Sequence, residues 1–471
     1  MRRSAATAAT VLAALSLAGT TAARVTDAPS DSLIHADAGR ALGYTGKGVT
    51  VAVLDTGIDD RNPDLADSIV AEHCFVPPDG CPDGSAEQGG PGSAQDDQGH
   101  GTAIADLIAG DGNAGPVGVV PDASLVVVKV ADRNGRTSAQ QILAGLNWVL
   151  ANHPEVKVVN VSLGSDVLLS GDCSGLTSTF REYAAAIDAL RAQGATVFAS
   201  SGNGGSRAAL TSPACIHDAV AVGAVYSRSF GPYTAPYVCR DAKTAPDEVA
   251  CFSDSGTELD LLAPGAPIDA ADLGSGDSLL AGTSAAAAEA AGAAAALLQA
   301  DPALTPDALL SLLRSTGVPI TDPRNHFTTP RIDLAAALGT LLGQTVPLPP
   351  PPPGAPAPVI VPPPLSTPSV PKARLSTDPI SFGSIALTRT VTRRLVVRNG
   401  GTGYLTVRVA TSLPSISARP AKLTIPSAGR GTVVLTFRPL RAGVYRGQLR
   451  LQTDDPSAAH ITVAVRGTGR S

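Results

Sequence analysis

The segment Val49-Thr-Val-Ala-Val-Leu-Asp55-Thr-Gly-Ile-Asp59 places an almost uninterrupted apolar run directly before an acidic, glycine-containing turn. Continuous rather than alternating apolarity is typical of a strand buried on both faces, as in a parallel sheet covered by helices. Four further runs of this kind follow along the chain: Leu125–Val130, Val156–Val161, Ala195–Ala199 and Ala219–Val225. The sequence therefore predicts an α/β fold with a mostly parallel sheet flanked by helices, in which Asp55 closes a buried strand.

Helical patterns lie between and after these runs. The clearest extends from Ser138 to Asn152, where Ser138 and Gln141 have the spacing of a capping box. Further helices are predicted at Thr179–Gln193, from Thr305-Pro306 to the residue before Gly317, and at Arg331–Leu342. The apolar run Ser284–Leu298 is short for a bilayer span and contains Glu289, so it is predicted to be a buried helix.

The charge of the chain is divided unevenly about Pro371. Of 471 residues, the first 371 contain 19 Lys/Arg against 38 Asp/Glu, a net charge of −19, whereas the last hundred contain 16 against 3, a net charge of +13. Glycine and proline are frequent, at 48 and 39 residues, but the 44% hydrophobic content excludes wholesale disorder. The asymmetry predicts two folded units that meet different surroundings.

Composition divides the chain into four regions. Residues 1–23 have the layout of a secretory signal peptide, with two arginines before an apolar run and small residues at the end. Residues 24–343 carry the α/β pattern. Residues 344–372 form a linker, because 13 of the 25 residues Pro347–Pro371 are proline and impose polyproline II structure. Residues 373–471 switch to period-two apolar runs, which predict a small antiparallel, Ig-like β-sandwich. We expect the protein outside the cell or at its surface, with no membrane span once the signal is removed.

All six cysteines lie in the acidic part, and export permits disulfides. Six cysteines allow fifteen pairings. Closeness in sequence favours Cys74 with Cys81 and Cys239 with Cys251, which leaves Cys173 for Cys215. No pair has the CxxC spacing of a zinc site, so zinc is not expected.

Three polar residues of the acidic part have the side chains that nucleophilic catalysis requires. Asp55 ends a strand, His100 lies between two glycines at the start of a helix, and Ser284 begins the alanine-rich helix after a Gly-Thr turn. A serine hydroxyl is a poor nucleophile unless a base takes its proton, and a histidine base works best when a buried carboxylate orients it. Asn203, in the loop Ser200-Ser-Gly-Asn-Gly-Gly205, supplies an amide for an oxyanion. Singly, each residue has a structural alternative as a loop carboxylate, a helix cap or a turn residue; the set favours nucleophilic catalysis.

These motifs resemble those of the subtilisin-like serine peptidases, and the resemblance covers residues 36–343. The matching segments are the aspartate motif Val53-Leu-Asp55-Thr-Gly-Ile-Asp59, the histidine motif His100-Gly-Thr102, the serine motif Gly282-Thr-Ser284, the oxyanion loop Ser201-Gly-Asn203, the substrate-pairing strand Asn160-Val-Ser-Leu-Gly164, and the segments Phe252-Ser-Asp-Ser255 and Ala263-Pro-Gly265. The resemblance implies a serine endopeptidase that acts through an acyl-enzyme. It assigns the triad to Asp55, His100 and Ser284, the oxyanion amide to Asn203, and substrate binding to Ser162, Leu163 and Gly164.

The chain departs from the family pattern after Ser284. The family usually has Met, Ala and then Pro, whereas this chain has Ala285, Ala286 and Ala288, followed by Glu289. We expect these changes to alter helix packing and pocket volume, and so substrate preference. The stretch between the predicted signal and the first strand is too short for the family's inhibitory propeptide, so folding is expected to depend on disulfides or on other parts of the chain.

No metal is predicted. Asp64 matches a calcium-ligand aspartate of some relatives, and the loop Asp79–Asp97 is acidic and glycine-rich. Because the relatives' other calcium loop is poorly matched between Gly110 and Gly118, the pattern favours a solvated loop over a structural calcium site.

The C-terminal region resembles secreted Ig-like modules through Gly443-Val-Tyr-Arg-Gly-Gln-Leu449 and Asp454-Asp-Pro456. It has no recognisable catalytic residue. Its charge predicts attraction to an anionic surface polymer or to the acidic unit, and exposed arginines are expected at Arg394, Arg398, Arg408 and Arg450.

The expected partners are protein or peptide substrates and such a polymer, not nucleic acid, and the chain is expected to be a monomer. An alternative function is a catalytically inactive protease fold that acts as an adhesive protein through the basic unit; the complete Asp–His–Ser set favours the peptidase.

Overall fold

The computed structural model describes residues 29–348 and 372–470, apart from residues 114, 166, 236–237, 275, 376–378, 388, 401–404, 420–421, 426–429, 454 and 456. The predicted signal peptide lies outside the described residues, as does nearly all of the predicted linker. The chain divides within the proline-rich stretch into two compact units.

The N-terminal unit combines a large sheet with helices on both faces. Its strands are β1 Thr50–Asp55, β2 Ile69–Phe75, β3 Glu87–Gly89, β4 Ser124–Lys129, β5 Val156–Val161, β6 Thr196–Ser200, β7 Val220–Tyr226, β8 Tyr233–Ala235, β9 Cys239–Asp241, β10 Leu261–Ala266, β11 Ile268–Ala271, β12 Asp277–Leu280, β13 Val318–Thr321 and β14 Thr328–Arg331. Its helices are α1 Pro29–Ile34, α2 Ala36–Ala41, α3 His100–Ala109, α4 Ala139–Asn152, α5 Ser178–Ala192, α6 Thr283–Ala300, α7 Pro306–Thr316 and α8 Leu334–Leu342.

Ten strands form the main sheet, in the order β13-β14-β10-β7-β6-β5-β1-β4-β2-β3. All neighbours pair in parallel except the two outermost pairs, β13 with β14 and β2 with β3. The five strands predicted from continuous apolar runs are β1, β4, β5, β6 and β7, each within one residue of its expected ends. The prediction of a mostly parallel α/β sheet is confirmed.

The helices differ in detail from their predicted ends. Ser138 caps α4 by accepting the Gln141 N–H at 3.3 Å, but the Gln141 side chain donates to the Val130 carbonyl, so the predicted capping box is only half formed. The last helix, α8, begins at Leu334 rather than at Arg331. Arg331 still belongs to β14, and Asp333 caps α8 by accepting the N–H of Ala336 at 3.0 Å.

Strand β1 contributes side chains to a core on each face of the sheet. Val51 and Val53 pack into the core that contains α3, α6, α7 and α8, whereas Ala52 and Leu54 pack into the core with α4 and α5. Every residue of Ala285–Leu298 in α6 is buried, as expected for a helix that is apolar all round. Among the described helices, none is both long and apolar enough to cross a membrane.

The C-terminal unit is a sandwich of two sheets. Its strands are β15 Ala373–Leu375, β16 Ile380–Ala386, β17 Val391–Asn399, β18 Leu405–Thr411, β19 Ile416–Arg419, β20 Lys422–Ile425, β21 Arg430–Phe437, β22 Gly443–Thr453 and β23 His460–Arg470. The sheets have the orders β15-β17-β21-β19 and β16-β23-β22-β18-β20, with antiparallel pairing except between β16 and β23. The predicted Ig-like sandwich is confirmed, and the four arginines expected on its surface are exposed: Arg394, Arg398, Arg408 and Arg450.

Three disulfides close loops of the N-terminal unit: Cys74–Cys81, Cys173–Cys215 and Cys239–Cys251. These are the three pairs favoured by the sequence. Cys173 and Cys215 are fully buried in the core beside α4 and α5, so this bridge ties two loops into the packed interior.

Removal of Cys173–Cys215 should destabilise the fold more than removal of Cys74–Cys81. The first pair is 42 residues apart and the second 7, and the entropy that a crosslink removes from the unfolded chain grows with loop length. Replacing each pair by serine should lower the free energy of unfolding by about 4 kcal/mol and about 2 kcal/mol respectively. Urea titration of the two variants measures the difference; an equal loss, or the reverse order, contradicts the expectation.

Candidate active site

Asp55 is the last residue of β1 and lies at the carboxyl edge of the sheet. It is 0% exposed, and its Oδ1 accepts the N–H of Thr56 and the ring Nδ1–H of His100, both at 2.7 Å. Because β1 is central and paired on both sides, the position of this carboxylate is fixed by the strand register. The carboxylate thus orients the imidazole of His100.

His100 is the first residue of α3, and backbone geometry determines where that helix starts. Gly99 precedes it with a φ of 103°, which favours glycine. Gly101 sits so close to the carbonyl oxygen of Gly57 that a Cβ would collide with it. Asp96, which no sequence motif predicts as a functional residue, accepts the N–H groups of Gln98, Gly99 and Thr102. It therefore caps α3 from outside the helix.

Ser284 lies in the first turn of α6 and is half-buried. Its hydroxyl donates to the carbonyl oxygen of Ser162 at 2.9 Å, and the Ser162 hydroxyl donates back to the Ser284 carbonyl at 2.9 Å. The structure thus brings Asp55 and His100 into contact and places Ser284 in the same cleft, with its hydroxyl turned towards Ser162 rather than towards His100.

Asn203 follows β6, and its side chain is oriented by the start of α6. Its Oδ1 accepts the N–H of Thr283 at 2.9 Å and the Thr283 hydroxyl at 3.1 Å. A backbone N–H requires an oxygen acceptor, so this contact assigns the amide oxygen and leaves Nδ2 as the donor. The loop motif predicts Asn203, but no local pattern indicates that Thr283 orients its side chain.

The cleft between these residues has a volume of about 540 Å³. Its lining includes His100, Asn203 and Ser284, together with the predicted substrate-binding residues Ser162, Leu163 and Gly164, which directly follow β5. Gly164 is exposed and Leu163 is half-buried. Ser162 is buried, so Leu163 and Gly164 form the exposed part of this segment.

The ring of His100 is 27% exposed. Burial lowers the pKa of His100, but the charge of Asp55 and the hydrogen bond to it, with a further contribution from the charge of Asp96, outweigh this effect and hold the pKa above its ordinary value of 6.5. Because Nδ1 faces Asp55, Nε2 is the nitrogen that is free to act as a base.

No metal ligand set is evident in the cleft among the described residues. Asp64 is buried and accepts the N–H of Gly115 through Oδ2. Among the residues that the structure describes, one group of three acidic or histidine side chains has ligand atoms within 4.8 Å of one another; it is Asp188, His217 and Asp218, of which the first two are exposed. The expectation from the sequence, a solvated loop rather than a structural calcium site, stays a prediction.

Residues 46–333 match the model of the subtilase family of S8 peptidases, well over half of the chain. This chain belongs to the subtilase family. A second family model, for HYDIN/CFA65/VesB-like Ig-like domains, matches residues 371–468 of this subtilase.

Bacillus proteins are among the relatives of this subtilase. Subtilisin amylosacchariticus of Bacillus subtilis subsp. amylosacchariticus is 34% identical over 289 residues, which span 60% of this chain and 64% of that protein. The subtilisin of Bacillus pumilus is 33% identical over 289 residues, spanning 60% of this chain and 89% of that protein. A solved structure of a protease from Pseudoalteromonas arctica PAMC 21717 matches with a TM-score of 0.51 and 28% identity, over 63% of this chain and 91% of that chain. The match to the first relative thus covers less than two thirds of its length.

Replacing Asp55 by asparagine should lower the pKa of His100. The charge and the hydrogen bond that raise this pKa would be removed or weakened, whereas the burial that lowers it would persist. An NMR titration of the His100 Cε1 proton, in a Ser284→Ala background, should give a midpoint above 6.5 with Asp55 in place and a lower midpoint in Asp55→Asn. The matched control is Asp60→Asn, which removes a carboxylate five residues after Asp55 whose cationic neighbour, Arg61, is exposed and lies 3.9 Å away. An unchanged midpoint in Asp55→Asn contradicts the electrostatic account.

Proposed function

We propose that this subtilase is a secreted serine endopeptidase that hydrolyses peptide bonds through Asp55, His100 and Ser284. The observation that supports it most is the 2.7 Å hydrogen bond between His100 and buried Asp55, at a cleft that also contains Ser284 and Asn203. The three disulfides suit an oxidising compartment, which supports secretion.

The reaction begins when an extended peptide pairs with the Ser162–Gly164 segment. The Ser284 hydroxyl then exchanges its hydrogen bond to the Ser162 carbonyl for one to His100 Nε2. His100 takes the proton as Ser284 Oγ forms a bond to the peptide carbonyl carbon, and Asp55 stabilises the resulting imidazolium. The raised pKa of His100 matches this role, since the ring must accept a proton during the attack.

The negative charge that forms on the carbonyl oxygen is bound by two donors. One is Asn203 Nδ2, which Thr283 orients, and the other is the Ser284 N–H in the first turn of α6, where backbone N–H groups have no helical acceptor. His100 returns its proton to the leaving amine as the C–N bond breaks. A water molecule then gives a proton to His100 as its oxygen attacks the acyl carbon. The bond between that carbon and Ser284 Oγ breaks, Oγ takes the proton back from His100, and the carboxylate product leaves.

A fluorophosphonate probe tests the proposed nucleophile. We expect the probe to label Ser284 in the wild type and not in His100→Ala, because the hydroxyl loses its base. Casein hydrolysis should be lost in Ser284→Ala. His217→Ala is the matched control, since the side chain of His217 is 53% exposed and does not line the cleft; it should keep both activities.

Labelling that is independent of His100 contradicts the mechanism. A folded wild-type chain that neither reacts with the probe nor cleaves casein supports the alternative, an inactive protease fold with an adhesive role.

We further propose that the C-terminal unit attaches the peptidase to an anionic surface polymer. Its net charge of +13 and the exposed arginines of β17, β18 and β22 support this role. The attraction must weaken with salt, because exposed charges are screened over about 8 Å at physiological ionic strength.

A chain that ends at Leu348 should keep casein turnover and lose retention on an anionic polysaccharide. Val346 packs in the core beside α8, so this end point keeps the N-terminal unit intact. Turnover and salt-dependent retention of the truncated and full-length chains measure both effects. A truncated chain that is folded but inactive contradicts the first half, and salt-independent retention of the full chain contradicts the second.

A further inference from the structure

The cleft contains a pocket beside Ser284 whose walls are two backbone segments, Ser162–Gly164 and Gly202–Gly204. Thr211 also lines this pocket. Its Oγ1 lies 2.9 Å from the position that a Cβ on Gly164 would take, and its Cγ2 lies 2.8 Å from the corresponding position on Gly202. The Thr211 side chain therefore lies between the two walls.

Asp254, from the segment Phe252-Ser-Asp-Ser255, also lines this cleft, and the mechanism gives it no role. The residue is 0% exposed. Its Oδ1 accepts the Ser206 N–H at 2.6 Å, whereas its Oδ2 accepts no hydrogen bond from any residue that the structure describes. This second oxygen lies directly beneath Gly202, where any Cβ would collide with it. A buried acceptor without a donor is uncommon in native proteins.

The charge of Asp254 is not neutralised by a dedicated partner among the described residues. Arg324 acts on Asp254 at a distance, but its guanidinium makes a two-oxygen ion pair with Asp322 and also donates to the carbonyls of Cys251 and Ser253. Burial raises the pKa of Asp254, while the N–H groups of Ser206 and Gly204 and the charge of Arg324 oppose that rise. Asp254 thus lines the pocket without an ion-pair partner of its own among the described residues.

The position of the pocket determines which substrate residue enters it. In the proposed reaction the attacked carbonyl lies next to Asn203 Nδ2, and Asn203 belongs to the wall Gly202–Gly204. We therefore assign the pocket to the side chain of the residue that carries this carbonyl. Leu168, on the rim, has its Cδ1 3.6 Å from the position of a Cβ on Gly204 and offers an apolar surface along the way. A substrate side chain with an aliphatic stem and a terminal cation matches the apolar Leu168 at the rim and the carboxylate of Asp254 further in.

Building on the proposed peptidase function, we propose that Asp254 makes the enzyme selective for lysine or arginine at the residue that precedes the cleaved bond. The ammonium or guanidinium group donates to Oδ2 of Asp254 and supplies the missing charge. A large apolar side chain in the same place would instead cover an unpaired carboxylate, which is unfavourable.

Fluorogenic peptides that differ only at the residue before the cleaved bond test this proposal. Lysine and norleucine form the decisive pair, because they share a four-carbon stem and differ in the terminal ammonium. In the wild type, kcat/KM for lysine should exceed that for norleucine by at least about 10-fold. Asp254→Asn should reduce this ratio by about 10- to 100-fold, because the side chain keeps an oxygen for the Ser206 N–H but loses the charge.

The matched control is Asp260→Asn, which alters another acid that accepts a backbone N–H, that of Ala221, but does not line the cleft. Its lysine-to-norleucine ratio should equal that of the wild type. If Asp254 has only a structural role, Asp254→Asn lowers kcat/KM for both peptides equally, and the unchanged ratio overturns the proposal. If Asp254→Asn does not fold, the wild-type ratio decides alone.

Fluorophosphonate labelling separates this proposal from the proposed function, since the probe places no amino acid side chain in the pocket. A labelled wild-type enzyme that prefers norleucine or phenylalanine to lysine and arginine overturns the specificity and leaves the peptidase function standing. A folded enzyme that is neither labelled nor active on any of the peptides overturns both.

Discussion

The burial of α6 is the constraint on which the cleft depends. A helix enclosed on all sides needs small side chains, and Gly292 shows how closely it is packed, because a Cβ there would come within 2.6 Å of Val119. The small side chains therefore let α6 pack closely against its neighbours. Its first turn carries Ser284, and the N–H of Thr283 holds Asn203. The location of the proposed nucleophile is thus a result of core packing rather than of a local loop.

The alanine run of α6 has one charged interruption, Glu289, which is fully buried. Burial and the negative charge of Asp31 raise its pKa, opposed by Ser30 and by the charge of Arg40, which itself pairs with Asp31 at 2.8 Å. Ser30 and Asp31 belong to α1, and Arg40 belongs to the last turn of α2. The helices that precede the sheet are therefore coupled electrostatically to the helix that carries Ser284.

The sequence predicted what depends on periodicity and on contiguous motifs. Continuous apolar runs located the five central strands, and closeness in sequence located the disulfides. Of the ten strands of the main sheet it missed five: β2, β3, β10, β13 and β14. In β10, Pro264 and Gly265 obscure a buried strand, and the predicted start of α8 lies in β14. The sequence did not predict four contacts between side chains and other parts of the fold. These are Thr283 with Asn203, Asp96 with the start of α3, the Ser284 hydroxyl with the Ser162 carbonyl, and Asp254 with Gly202. Each depends on tertiary packing, which no local pattern encodes.

The central claim is that His100 and Ser284 act in one chemical step. A double-mutant cycle tests it most directly, with kcat/KM measured on one peptide for His100→Ala, Ser284→Ala and the combined variant. Residues that act as a unit give strongly non-additive losses. The account predicts that the combined variant is no slower than the slower single variant. Losses that multiply would contradict it, because they would mean that the two side chains contribute independently.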